Sequence, residues 1–209
     1  MEKEIQKYVI EHTEEQNELL KELERETNVK IYHPRMLSGH LQGKILKMFS
    51  YMIAPYRILE IGTYTGYSAL CLAEGLLPGG VLHTIEINDE LEEFIRLYIN
   101  RSQLSSKINL HIGDALNIIP TINETFDFVF IDGDKREYLD YYHAIFDKVR
   151  QGGFIIADNV LWNGKVVNEQ ENDEFTKSIR AFNDYVHFDI RVENVMLPLR
   201  DGLTILRKR

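Results

Sequence analysis

Two short segments of this 209-residue chain carry side chains that packing alone does not require: Asp132-Gly133-Asp134-Lys135 and Asp158-Asn159. Each follows a short apolar run, residues 126–131 and 154–157, and one helical segment separates them. Strands joined by a helical crossover run parallel, so their carboxyl ends lie on the same edge of a sheet. If these two strands are neighbours, Asp132, Asp158 and Asn159 converge as two carboxylates and an amide. Hard oxygen donors of that kind suit Mg²⁺, Mn²⁺ or Ca²⁺ and match zinc sites poorly. Lys135 stands where the next helix should begin, a position the helix dipole disfavours for a cation. Beside a bound metal its ammonium would release a proton more readily and could act as a general base. Taken singly, either acid could equally cap the helix that follows it.

A second group of residues reads as a nucleoside site. Leu59-Glu60-Ile61-Gly62-Thr63-Tyr64-Thr65-Gly66-Tyr67-Ser68 joins an apolar strand to a helix. A pyrophosphate loop would want Gly-x-Gly-x-x-Gly, but the second and third glycine positions are Tyr64 and Tyr67. That argues against a nicotinamide dehydrogenase. S-adenosylmethionine has no phosphate; it needs a turn, a hydroxyl and negative charge, which Gly62, Ser68 and Glu60 can supply. Glu86 ends the second strand 20 residues after Gly66, where an acid commonly binds ribose hydroxyls. Asp114-Ala115 follows the third strand and could meet an adenine edge, or simply start a helix.

The elements that must position these groups alternate. Apolar runs at 58–61, 81–85, 108–112, 126–131 and 154–157 are separated by amphipathic stretches at 68–76, 89–100 and 138–149. Short strands that are apolar throughout indicate a parallel sheet covered on both faces. Residues 188–197 and 203–206 are strand-like and flank Pro198-Leu199-Arg200-Asp201-Gly202, which predicts a closing hairpin. Ahead of the alternation, residues 2–26 read as one charged helix and 38–52 as another. This 1–52 extension is expected to pack on the core or on a second subunit within a single 1–209 domain.

Net charge is −9, and residues 1–26 hold nine Glu against four Lys or Arg. That balance disfavours a nucleic-acid duplex as partner. No run reaches the ~18 apolar residues of a membrane span, and the first residues lack the pattern of a signal peptide, so a cytoplasmic location is expected. The single cysteine, Cys71, excludes an internal disulfide and is expected to be a core thiol. The seven histidines show no defensible ligand spacing.

The segments at 59–68, 84–88, 131–135, 158–164 and 197–202 resemble the cation-dependent O-methyltransferases, the group of catechol and caffeoyl-CoA O-methyltransferases. The resemblance runs from about Met36 to Arg209. It implies an α/β fold, a Rossmann-like sheet of seven strands, mostly parallel with the last antiparallel and helices on both faces. It also implies metal ligation by Asp132, Asp158 and Asn159, with Lys135 as base. S-adenosylmethionine, leaving as S-adenosylhomocysteine, would be held by Ser38, Glu60, Gly62, Thr63, Ser68, Glu86, Ala115, Asp132 and Asp134. Met36, Trp162 and Asn163 would line the acceptor site. The implied reaction is methyl transfer to a small hydroxylated aromatic, with a homodimer as the assembly. The alternative acceptor is a hydroxylated uridine in tRNA. His40-Leu41-Gln42-Gly43 departs from the acid-bearing segment of many relatives, and residues 165–177 are strongly polar.

Overall fold

The computed structural model describes residues 2–209, with side chains from Glu4 onward. Seven strands form one sheet: β1 (Arg57–Ile61), β2 (Val81–Glu86), β3 (Ile108–Ile112), β4 (Phe126–Ile131), β5 (Val149–Asp158), β6 (Val192–Leu197) and β7 (Leu203–Lys208). Their order is β3-β2-β1-β4-β5-β7-β6. The first five are parallel, and β7 runs antiparallel to both of its neighbours. Sequence order reverses between β1 and β4, which opens a crevice at their carboxyl ends.

The expected burial on both faces is explicit in β4. Val129 and Ile131 join one apolar cluster and Phe128 and Phe130 the other, as the two-residue side-chain period requires. The first cluster is covered by α6 (Ala115–Ile118), α7 (Tyr138–Phe146) and α8 (Glu174–Phe188). The second is covered by α2 (Glu18–Lys30), α3 (Gly39–Ile53), α4 (Tyr67–Ala73) and α5 (Glu92–Arg101). Cys71 is buried in the second cluster, and that burial pushes its thiol well above the ordinary range.

Several boundaries differ from expectation. The acidic segment 2–26 is not one helix. It breaks after α1 (Glu2–Glu11), and α2 restarts at Glu18. Local polar bonds favour the break: Thr13 Oγ1 donates to the Val9 carbonyl, and the Asn17 side chain accepts from Leu20 N at 2.9 Å. α2 buries Leu20, Leu23 and Thr27 against the body, whereas the described side chains of α1 are all exposed.

The helix expected over 138–149 stops at Phe146, because Val149 is already paired with Phe126 across the sheet. The strand expected from 188 begins only at Val192. Residues 174–188 are helical instead, capped by Asp173, whose Oδ1 accepts from Thr176 N at 3.0 Å. Ile179, Phe182 and Val186 keep helical spacing and are buried, a signal masked by the polar residues around them.

Gly62, just after β1, packs against the backbone that follows β4. Its φ is +97°, and a Cβ there would lie 2.2 Å from the Asp132 carbonyl oxygen. Gly79 has a comparable φ of +79° but open space around it. Gly62→Ala is therefore expected to destabilise the fold well beyond the roughly 1–3 kcal/mol of left-handed strain that Gly79→Ala should cost. Equal losses for the two variants in urea unfolding would contradict the close approach.

Candidate active site

At the end of β1, Glu60 is completely buried. Its Oε2 accepts from Thr84 Oγ1 at 2.6 Å, while Oε1 lacks a partner in hydrogen-bonding geometry. Burial raises this carboxyl to about 8, against the opposing pull of the nearby Ser68 and Thr84 hydroxyls. Such an orphaned acid oxygen in a crevice suits a ligand that brings a cationic or N–H group. Thr63, also buried, shares a hydroxyl hydrogen bond with Thr84, and Gly62 N and Thr63 N both donate to the Ile85 carbonyl. The turn between β1 and α4 is thus tied to the end of β2.

Glu86 closes β2. Its two carboxylate oxygens accept from Tyr64 N at 2.6 Å and Asn88 N at 2.9 Å, and burial still raises its pKa. Gly113 N donates to the Glu86 carbonyl at 2.8 Å, which brings the loop after β3 alongside. Ala115 opens α6 there, buried, behind Asp114 as the helix cap. Glu60 and Glu86 are therefore carried by the ends of β1 and β2, Gly62 and Thr63 by the loop after β1, and Ser68 and Ala115 by the first turns of α4 and α6.

The second half lies across the switch point. Ile131 pairs with Ala157, so Asp132 and Asp158 follow at adjacent strand ends. Asp158 is 4% exposed, and burial together with the Asp132 charge raises its carboxyl above the ordinary range. Its backbone is pinned by the Tyr138 hydroxyl, which donates to the Asp158 carbonyl at 2.9 Å. Lys135 is buried in the short turn after β4, where Nζ donates to Asp132 Oδ1 at 2.7 Å and to the Gly133 carbonyl at 3.1 Å. Asn159 adopts a left-handed φ of 55°, and its N–H donates to Asp158 Oδ1 at 2.7 Å. Asp134 is turned to Arg136, which holds its carboxyl below the ordinary range.

Among the described residues, no three His, Cys, Asp or Glu side chains gather as a metal site. The candidate donors are two carboxylates and an amide. This set nonetheless fits a hard divalent cation: two neighbouring acids, one of them buried, disfavour each other's ionisation unless positive charge lies between them.

Ser38 precedes α3 and is buried, whereas Met36 is 60% exposed on the turn before it. Trp162 and Asn163 stand after β5 with left-handed φ values of 47° and 53°. The Trp162 ring stacks on Phe175 at 5.7 Å, and the Arg136 guanidinium lies 5.2 Å from the other ring. The Arg180 guanidinium donates to the carbonyls of Lys165, Val166, Asn168 and Glu171 and gives the polar 165–171 segment its shape.

The sequence reading does not single out Tyr138, Phe175, Arg180, Gln42 or Arg200. Gln42, 2% exposed on α3, donates from Nε2 to Asp158 Oδ2 at 2.5 Å, and Arg200 donates to Gln42 Oε1. These contacts span more than a hundred residues of chain, so no local pattern announces them. His83 and His111 likewise meet only across the sheet, with Nδ1 and Nε2 3.0 Å apart.

Comparison with known proteins agrees with this architecture. A family model described as O-methyltransferase matches residues 10–209. Caffeoyl-CoA O-methyltransferase 5 of Nicotiana tabacum is 35% identical over 204 residues, covering 91% of this chain and 84% of that protein. Caffeoyl-CoA O-methyltransferase 2 of Zea mays is 36% identical, covering 91% and 76%. Among solved structures, the O-methyltransferase from Bacillus cereus in complex with SAH superposes with a TM-score of 0.90 at 28% identity, covering 98% and 97%. TomG from Streptomyces achromogenes, involved in tomaymycin synthesis and solved with SAM, gives 0.91 at 26% identity, covering 98% and 96%. With its sheet order, its crevice and a family match over nearly its whole length, this chain belongs to the O-methyltransferase family.

Proposed function

We propose that the protein transfers the methyl group of S-adenosylmethionine to a hydroxyl of a small catechol-type or other phenolic acceptor, using a divalent cation such as Mg²⁺. The observation that carries this reading is the pair of neighbouring carboxylates, Asp132 and Asp158, with the Lys135 ammonium 2.7 Å from the first. The orphaned Glu60 oxygen lies across the same switch point.

In this reading Glu60, Gly62, Thr63 and Ser68 receive the methionine end of the donor, with Ser38, Asp132 and Asp134 near it. Glu86 binds the ribose and Ala115 the adenine. Asp132, Asp158 and Asn159 would hold the cation, which when bound would supply Lewis-acid polarisation of the acceptor hydroxyl. A phenol with an ordinary pKa of about 10 is a poor nucleophile at neutral pH. Lys135 Nζ is the acceptor for the phenolic proton, and Asp132 fixes where Nζ sits. The oxygen then attacks the methyl carbon in line. The O–CH₃ bond forms as the CH₃–S⁺ bond breaks, and S-adenosylhomocysteine leaves as the neutral thioether.

The rim supports a small acceptor. Two of its basic side chains are already matched by acids: Arg136 by Asp134 and Glu174, and Lys165 by Glu171 and Asp173. A CoA thioester or a tRNA brings several phosphates and would need free cations there. Met36, Trp162 and Asn163 line the acceptor entrance in this reading. The exposed Ile5, Tyr8 and Val9 of α1 would serve a homodimer, and a cytoplasmic site of action fits; no described helix is long and apolar enough to cross a membrane.

S-adenosylhomocysteine release with a simple catechol, a caffeoyl-CoA thioester and a hydroxyuridine-bearing tRNA ranks the acceptors. The catechol is expected to turn over fastest; strict dependence on the tRNA would replace the phenol reading. Lys135→Ala is expected to lower kcat by about 10²–10⁴-fold, the usual weight of a general base, with donor affinity largely kept. A parallel fall in donor affinity would remove Lys135 from that role.

Glu60 gives a pH signature. Its folded pKa of about 8 exceeds its ordinary 4.5, so the stability tied to the protonated acid is complete below 4.5 and is lost as pH rises through 8. Glu60→Gln, neutral throughout, should therefore gain in unfolding free energy over the ligand-free wild type between pH 5 and 8, by up to ~1.4 kcal/mol per pH unit. A gap independent of pH would show that Glu60 ionises normally.

A further inference from the structure

Arg200 and Gln42 have no part in the chemistry described so far, yet they form a chain of contacts that ends on Asp158. The guanidinium carries donors only, so the oxygen of the Gln42 amide must face it. The amide nitrogen is thereby turned to Asp158, to which it donates at 2.5 Å. Arg200 also donates to the Ser38 carbonyl, at the start of the same helix.

The hairpin that carries Arg200 holds the segment after β5 as well. The Asp201 carboxylate accepts from Asn163 N, and the Asp201 and Gly202 carbonyls accept from Leu161 N at 2.9 Å and Val160 N at 3.3 Å. Arg200 itself is a non-glycine residue at a left-handed φ of 50°, a conformation that costs energy for its side chain. Its side chain is where a compensating gain would lie.

The chemistry of the link matters. An arginine placed directly on Asp158 would form a charge-assisted pair and compete with a cation for the carboxylate. A buried neutral amide holds the carboxylate's orientation and leaves its charge intact.

We propose that Arg200 and Gln42 are positioning residues for the metal-binding carboxylate: Arg200 sets the amide, the amide sets Asp158, and the hairpin thereby links the 160–163 segment to the cation site. This inference rests on the metal reading of Asp132, Asp158 and Asn159.

Arg200→Gly is the sharpest variant, because glycine relieves the left-handed strain while removing the guanidinium. Mn²⁺ binding to the full-length protein, followed by the loss of the free-ion electron paramagnetic resonance signal, provides a readout independent of turnover. Arg200→Gly and Gln42→Ala are each expected to weaken Mn²⁺ about 10–100-fold, as outer-shell changes usually do. Arg200→Gly should keep or raise the wild-type melting temperature, which a merely structural role would not allow. The double variant should bind no worse than Gln42→Ala, since the two act in series. Wild-type Mn²⁺ affinity in both single variants, or additive losses in the double, would overturn the proposal while leaving the metal site standing. Failure of the wild-type protein itself to bind Mn²⁺ would overturn the metal reading, and this proposal with it.

Discussion

Two like-charged side chains are held together where β4 and β5 end, and much of the site follows from that constraint. The register that pairs Ile131 with Ala157 leaves Asp132 and Asp158 no choice but to be neighbours. The sheet maintains this with apolar residues that are almost wholly buried, so the repulsion cannot be relieved by moving the strands apart. Relief has to come from positive charge or from a proton. Without a metal, Lys135 serves Asp132 and burial raises Asp158 toward the protonated form. A divalent cation would answer both carboxylates at once.

The opposite side of the crevice follows the same logic with a different ligand. Glu60 is buried at the end of β1 with one oxygen unpartnered, an arrangement that lowers stability in the absence of a ligand and suits one bearing positive charge. Gly62 lies between the two halves. Its missing Cβ lets the backbone after β1 lie against the Asp132 carbonyl in one crevice. Each half tolerates an electrostatic penalty that a bound species could remove, a common property of functional sites.

What the sequence made legible was whatever local pattern encodes. Continuous apolar runs gave the parallel strands, and acids at their ends gave the positions of Asp132, Asp158, Glu86 and Glu60. The break at Thr13–Asn17 and the helix over 174–188 were obscured because polar side chains compete with the backbone in the first and dilute the apolar spacing in the second. Gln42 was visible only as a departure from an acid-bearing segment, and Arg200 only as part of a hairpin turn. Their pairing is a property of the folded chain, in which α3 meets the β6–β7 hairpin, and no spacing along the sequence carries it.

The most direct test of the central claim uses the carboxylate pair itself. The protein would be stripped of metal with a chelator and supplied with S-adenosylmethionine and caffeic acid, and S-adenosylhomocysteine release followed as Mg²⁺ is returned. Turnover that is absent in the stripped protein, restored by Mg²⁺ and not restored in Asp158→Ala is the result this account predicts. Full turnover in the stripped protein, or undiminished Mg²⁺-dependent turnover in Asp158→Ala, would contradict it.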